Sequence, residues 1–395
     1  MKRNPWLILF AIYLASIFVV MAEYKVPPVI PNLISELNLS MVAAGLSMSI
    51  FCFTAIVLAF PSAVILQKFG AKITGLAAIG FTALGSLLGL GATNFNLFLV
   101  SRIIEGIGMG LMAVLAPAVI ALVFPREKRG LPMGIWASWF PFGISLIFFL
   151  APSIVNHFGR LGLWWFTVIL GIIVMVIYGL IIPGLGKETS QDQNNELEKP
   201  SIAKAVRYPA IWLLGIAFFT FNINQLGYVN WGPTYLIQTL QFDPGTANYY
   251  FSIQNIISVV GTVIAGLIIG KLFRYTQKML LTVLILLAVV YGFAFSLTQS
   301  IALFYLAILG FLTSFVATLV WTMTPDTMPS KTYTGIAMAM MIIFQNLGDL
   351  SGPPAIGWIV QNTGNWGLAS ILLIAAMVIS IICLVVYPKA GFKRS

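Results

Sequence analysis

The sequence holds one histidine and two cysteines in 395 residues, and only 8% of it is charged. Each shortage excludes something. A lone imidazole, His157, cannot supply paired metal ligands, and neither a phosphate-binding loop nor a nucleophile elbow is present, so the chain is not expected to be an enzyme. Cys52 and Cys383 lie far apart inside apolar runs, which argues against a disulfide, and no metal site or cofactor is expected. With 59% hydrophobic residues and a mean hydropathy of +0.98, there is too little polar surface for a soluble globule of this length.

What is abundant is apolar sequence of spanning length. Twelve candidate helices can be drawn, at about 5–30, 41–66, 73–93, 96–123, 131–155, 162–182, 209–236, 247–270, 277–297, 300–323, 333–360 and 366–387, each carrying the ~20 apolar residues that a bilayer core demands. Of the 21 Lys and Arg residues, 18 fall in every second gap between these runs. Arg160 lies in an opposite gap, and Lys25 and Arg102 sit within apolar runs. By the positive-inside rule both termini are cytoplasmic, in a multi-pass protein of the cell's cytoplasmic membrane. The net charge of +10 is then topological, and no nucleic-acid partner is expected. Trp6, Trp164, Trp165, Trp212 and Trp366 fall near helix ends and read as interfacial anchors. The first run is longer than a secretory core and is expected to be retained, despite the cleavage-like Val20-Met21-Ala22.

Between runs six and seven, Lys187 to Lys199 mixes both charge signs without apolar periodicity, which reads as a solvated linker. The domains expected are a six-helix bundle over 1–183, a cytoplasmic linker over 184–207 and a second six-helix bundle over 208–395. The halves echo each other at an offset near 202: Pro31 meets Pro233, Lys68 meets Lys271 and Pro152 meets Pro354. An internal repeat of this kind is a recurring transporter architecture.

Two stretches carry a family likeness. After run two stand Ala63, Gln67, Lys68, Gly70 and Lys72; on run four Arg102-Ile-Ile-Glu105-Gly106-Ile-Gly108 precedes a basic loop, Phe124 to Gly130; on run five Pro141, Gly143 and Pro152 only faintly resemble the helix-five motif of drug antiporters, which counts against an exporter. The chain thereby resembles the major facilitator superfamily over essentially its whole length. The family's loop motif has an acid where Gln67 stands and a first glycine where Ala63 stands, so a weaker charge latch is implied at the gating loop of Lys68, Gly70 and Lys72. Lys25 to Pro31, with Trp136, Trp139 and Phe140, is loosely similar to the cyanate and nitroimidazole carriers. The resemblance implies an all-α fold of twelve transmembrane helices in two pseudo-repeats, with substrate near the midplane, and a first helix that bends at Pro27 and Pro28 and continues to about Leu33.

The acids locate the chemistry. Eight of eleven lie in loops or the linker, leaving Glu23, Glu105 and Asp349 in helices beside Lys25 and Arg102. A charge at the bilayer centre costs roughly 2.5–3.5 kcal/mol, so these five are the candidates for function. Arg102 and Glu105 share a helix face, where a mutual salt bridge competes with a role for Arg102 in binding a carboxylate. Glu23 and Lys25 are two apart and cannot pair on a regular helix, and Lys25 is either a cavity residue or an interfacial lysine that snorkels. The second half offers amides: Asn224, Gln225 and Tyr228 on run seven, Gln254 and Asn255 on run eight, Gln345 and Asn346 on run eleven. Polar glue between helices accounts for part of this set, and a cavity wall for the rest.

The expected substrate-binding residues are therefore Lys25, Arg102, Asn224, Gln225, Tyr228, Gln254, Asn255, Gln345 and Asn346. The expected proton-coupling residues are Glu23, Glu105 and Asp349. A channel would show repeated charge or carbonyl rings, which leaves a secondary active transporter for a small organic solute, an anion by the evidence of Lys25 and Arg102. Its coupling ion is expected to be the proton, since desolvated carboxyls titrate. The bilayer, the solute and protons are its expected partners, and it is expected to be a monomer. The alternatives are a proton-coupled efflux pump for drugs or metabolites, with Glu23 and Asp349 attracting an amphipathic or cationic compound, and a membrane sensor built on a transporter fold.

Overall fold

Every regular element among the described residues is helical. The computed structural model describes residues 4–59, 61–125, 128, 130–183, 206–328 and 333–390; the expected linker lies outside them except for Val206 and Arg207. The elements are α1 (Pro5–Glu23), α2 (Ile30–Leu37), α3 (Met41–Ser49), α4 (Phe51–Leu58), α5 (Pro61–Leu90), α6 (Phe95–Val123), α7 (Gly130–Ala137) and α8 (Trp139–Ile181). After the linker come α9 (Pro209–Gln238), α10 (Pro244–Leu272), α11 (Thr276–Gly292), α12 (Gln299–Met323), α13 (Thr334–Thr363) and α14 (Trp366–Ala390).

Among the described residues, nine stretches are long and apolar enough to cross a bilayer. The stretch Leu131–Ile181 is folded at Gly159, whose φ of +68° only glycine adopts without strain, and so serves as two spans. Of the other expected segments, Thr276–Gly292 is an apolar helix shorter than a span and α13 is long but more polar, so length and composition alone do not give the twelve spans expected. Gly70, at φ +76°, breaks α5 in the same way, so its first turns extend the preceding span and the rest forms the next. Local chemistry sets the helix ends. Asn4, Ser40 and Asn94 accept a hydrogen bond from the first turn of α1, α3 and α6, and Pro209 opens α9, where a missing N–H costs nothing.

The chain divides into two compact units. The first comprises the described residues up to 183 with Pro244–Ser252; the second comprises 206–243 and those from Ile253 onward. In the first unit α6 packs against α4 and α5, and α1 packs against α8, α6 and α5. The α5–α6 approach is set by small residues, since a Cβ on Gly85 would collide with the Ser101 carbonyl and one on Gly108 with the Ala78 carbonyl. In the second unit α9 packs against α13 and α14, and α11 against α12 and α14. There Gly348 and Gly352 lie against the carbonyls of Phe219 and Ile223, a close approach that only small residues permit.

Candidate functional site

In the first unit the chain brings four of the five intramembrane charges together. Pro27 has no N–H, so the Glu23 carbonyl four residues earlier loses its helical donor. Helix α1 accordingly stops at Glu23, a 3₁₀ turn spans Pro27–Val29, and the helix resumes as α2. The expected bend is present, and the arm beyond it runs on to Leu37. Lys25, in the turn, is wholly buried, so it is not an interfacial lysine.

Arg102 closes the break. Its Nη2 donates to the Glu23 carbonyl at 2.5 Å and its Nη1 to the Ala22 carbonyl at 3.2 Å, while Nε reaches the Ser47 carbonyl of α3 at 3.1 Å. Nη1 also pairs with Oε2 of Glu105, the salt bridge anticipated from their spacing. Only a planar fork with several donors can serve four acceptors on three segments at once. Oε1 of Glu105 pairs with the Lys25 ammonium at 2.6 Å and accepts from Ser86 at 2.7 Å; Lys25 further donates to Ser86 at 2.7 Å and to Thr167 at 3.3 Å. All four charged side chains are fully buried. Glu23 points into the same region, yet neither of its carboxyl oxygens has a hydrogen-bond partner among the described residues.

Sequence reasoning missed Ser86, Thr167 and Trp164. The two hydroxyls, from α5 and α8, complete the cage round Lys25. Trp164, expected to be an interfacial anchor, is instead fully buried, with Lys25 4.9 Å from its ring centroid, while its neighbour Trp165 is exposed as an anchor should be. Trp366 is likewise buried, in an aromatic cluster with Trp231 and Phe295, whereas Trp6 and Trp212 are exposed. A Trp-Trp pair on a helix puts the rings about 100° apart, so one of two adjacent anchors had to turn inward.

The second unit assembles its candidates differently. Asn224 donates to the Leu373 carbonyl at 2.8 Å and so ties α9 to α14, as polar glue does. Tyr228 is enclosed by the rings of Tyr291, Phe295 and Tyr305, with centroids at 6.3, 5.3 and 6.1 Å. Gln254 and Asn255 are buried on α10, and the Gln254 carbonyl oxygen Oε1 has no hydrogen-bond partner among the described residues. Gln225, Gln345 and Asn346 are half-buried. Asp349 is buried, and no ion pair reaches it among the described residues. In the expected gating loop, Lys68 lies exposed over the Phe69 ring at 5.3 Å and Lys72 is half-buried, and neither makes an ion pair among the described residues.

Helices of this length, broken at proline and glycine, with a buried ion cluster in one bundle and amides in the other, define a polytopic membrane transporter rather than an enzyme. The family model for the Major Facilitator Superfamily matches residues 12–348, and the chain belongs to that family. It is 23% identical to a hexuronate transporter of Bacillus subtilis (strain 168), over 87% of this chain and 85% of that protein. It is also 23% identical to a probable galactarate/D-glucarate transporter of Escherichia coli (strain K12), over 85% and 82%. Among solved structures, a bacterial homologue of the human lysosomal transporter Spinster superposes with a TM-score of 0.82 at 15% identity over the whole of both chains, a likeness of fold.

Proposed function

We propose that this transporter carries a small organic anion coupled to protons by alternating access, with sugar acids as the first substrate class. The observation that carries the proposal is the composition of the buried cluster: Lys25 and Arg102 both pair with the one carboxylate of Glu105, and the Glu23 carboxyl lies buried beside them without a hydrogen-bond partner among the described residues. A carboxylate arriving at either cation has to displace an internal acid, leaving an unpaired buried charge that costs several kcal/mol. A proton delivered to Glu105 or Glu23 removes that cost. Proton uptake and anion binding are thereby the same event read from two sides. Two relatives named for carboxylate sugars support the class. In the second unit Gln225, Gln345 and Asn346 are the half-buried amides suited to sugar hydroxyls.

The test is uptake of radiolabelled D-glucuronate and D-glucarate into proteoliposomes with and without an inward proton gradient. The proposal expects accumulation above equilibrium only with the gradient; uptake indifferent to it would refute proton coupling, and no uptake of any organic acid would refute the substrate class. Asp349, a buried acid with no ion pair among the described residues, favours a second reading in which the chain expels an organic cation, and proton-driven efflux of ethidium from the same liposomes would select it. We further propose both termini to be cytoplasmic. Single cysteines at Asn156 and Thr363 should then label from outside intact cells, and one at Lys271 should not.

A further inference from the structure

Trp164 serves two cations with one ring. The Lys25 ammonium lies 4.9 Å from its centroid and the Arg160 guanidinium 5.2 Å. Lys25 sits in the turn at the start of the α2 arm and pairs with buried Glu105. Arg160, beside the positive-φ Gly159, pairs with Glu36 at the far end of the same arm, Nε to Oε2 at 2.5 Å. The second pair is partly open, with Glu36 44% exposed and Arg160 11%. The arm is therefore held at both ends by ion pairs whose cations rest on one indole. The ring itself has little freedom: a Cβ on Gly89 would press on its Nε1, and Phe98 of α6 lies 6.0 Å away, centroid to centroid. Its N–H finds no hydrogen-bond partner among the described residues, so its hold on the site is through the face of the ring.

We propose that Trp164 is the positioning residue that joins the Arg160–Glu36 pair to the buried Lys25–Glu105 pair, so that the arm and the coupling cluster move together. The physical cause is the ring quadrupole, which favours a desolvated ammonium at its face. When Glu105 is neutralised by a proton, Trp164 keeps Lys25 charged and in place to receive the incoming carboxylate. The titratable and charged groups facing Lys25 are Glu23 at the end of α1 and Arg102 and Glu105 from α6; α5 and α8 present only the Ser86 and Thr167 hydroxyls and the Trp164 ring. The proposal rests on the cluster being the coupling site, and its test is chosen to be separable from the substrate.

The experiment compares Trp164→Phe with Trp164→Leu, which remove similar bulk but only one of which removes the aromatic face. In detergent, the Phe variant should melt above the Leu variant, and this gap should shrink in a Lys25→Met background, where only Arg160 still rests on the ring. Should Lys25→Met fail to fold, Arg160→Met supplies the second background, where the gap should shrink. An undiminished gap in both would make Trp164 plain packing and overturn the proposal. In proteoliposomes with D-glucuronate as probe, Trp164→Leu should move the alkaline limb of uptake to lower pH by about one unit, and Trp164→Phe should restore it. A uniform loss of rate with an unmoved limb would contradict the coupling role. Failure of wild-type protein to carry D-glucuronate would strike the substrate class alone, since the melting comparison involves no substrate.

Discussion

Each unit contains an acid four residues before a Pro-Pro pair: Glu23 before Pro27 and Pro28, and Asp349 before Pro353 and Pro354. In both, proline chemistry strips the acid's carbonyl of its helical donor. The outcomes differ. In the first unit the helix breaks at Glu23 and the exposed carbonyls are taken by Arg102, whereas in the second α13 runs through Thr334–Thr363 as one helix and no ion pair reaches Asp349 among the described residues. Instead the Trp231 indole of α9 donates to the Pro353 carbonyl at 2.8 Å and pins the proline segment. The same acid-to-proline spacing thus accompanies a broken segment whose carbonyls are held by Arg102 in one unit, and a continuous helix held by Trp231 at Pro353 in the other.

The comparison is broken most severely by removing the acid that balances the first centre. Glu105→Ala leaves Lys25 and Arg102 buried without their carboxylate, and a loss of about 3–5 kcal/mol is expected, visible as a melting point lowered by several degrees in detergent. A smaller effect, about 2 kcal/mol, is expected from Arg102→Lys, because one ammonium cannot reach the carbonyls of Ala22, Glu23 and Ser47 together with Glu105. If Lys substitutes with no change in melting point, the guanidinium is not what holds the break. In the second unit Trp231→Phe should cost about 1 kcal/mol through the lost hydrogen bond to Pro353, and a bent α13 in that variant would sharpen the parallel between the units. Least of all is expected from Asp349→Asn, with a melting point within a degree or two of wild type since no partner is lost. Its effect should appear in function, as weaker accumulation under a pH gradient with exchange retained; unchanged accumulation would assign coupling wholly to the first unit.

How much of this was legible in the sequence follows from the same residues. Most spans and the Arg102–Glu105 pair were readable, because apolar length and an i, i+3 spacing act locally. The bend at Pro27 was readable for the same reason. That Lys25 would reach Glu105 rather than Glu23 was not, since it depends on α6 and α8 packing onto a turn 80 residues away in sequence. Trp164 was misassigned because an aromatic near a helix end looks alike whether its ring faces lipid or a buried ammonium. In the second unit the amide pattern was visible, but the division of labour was not: Asn224 spends its donor on α14, and Tyr228 lies within an aromatic cluster, while Gln225, Gln345 and Asn346 remain partly open.

The account's central claim is that the first unit's buried ion cluster links proton uptake to movement of an organic anion. Glu105→Gln tests it most directly, since the amide keeps the size and an acceptor for Lys25 but cannot exchange a proton. In proteoliposomes, the variant should catalyse exchange of labelled for unlabelled D-glucuronate yet show no accumulation under an inward proton gradient that drives the wild type. Accumulation at the wild-type level by Glu105→Gln, under the same gradient, would contradict the claim.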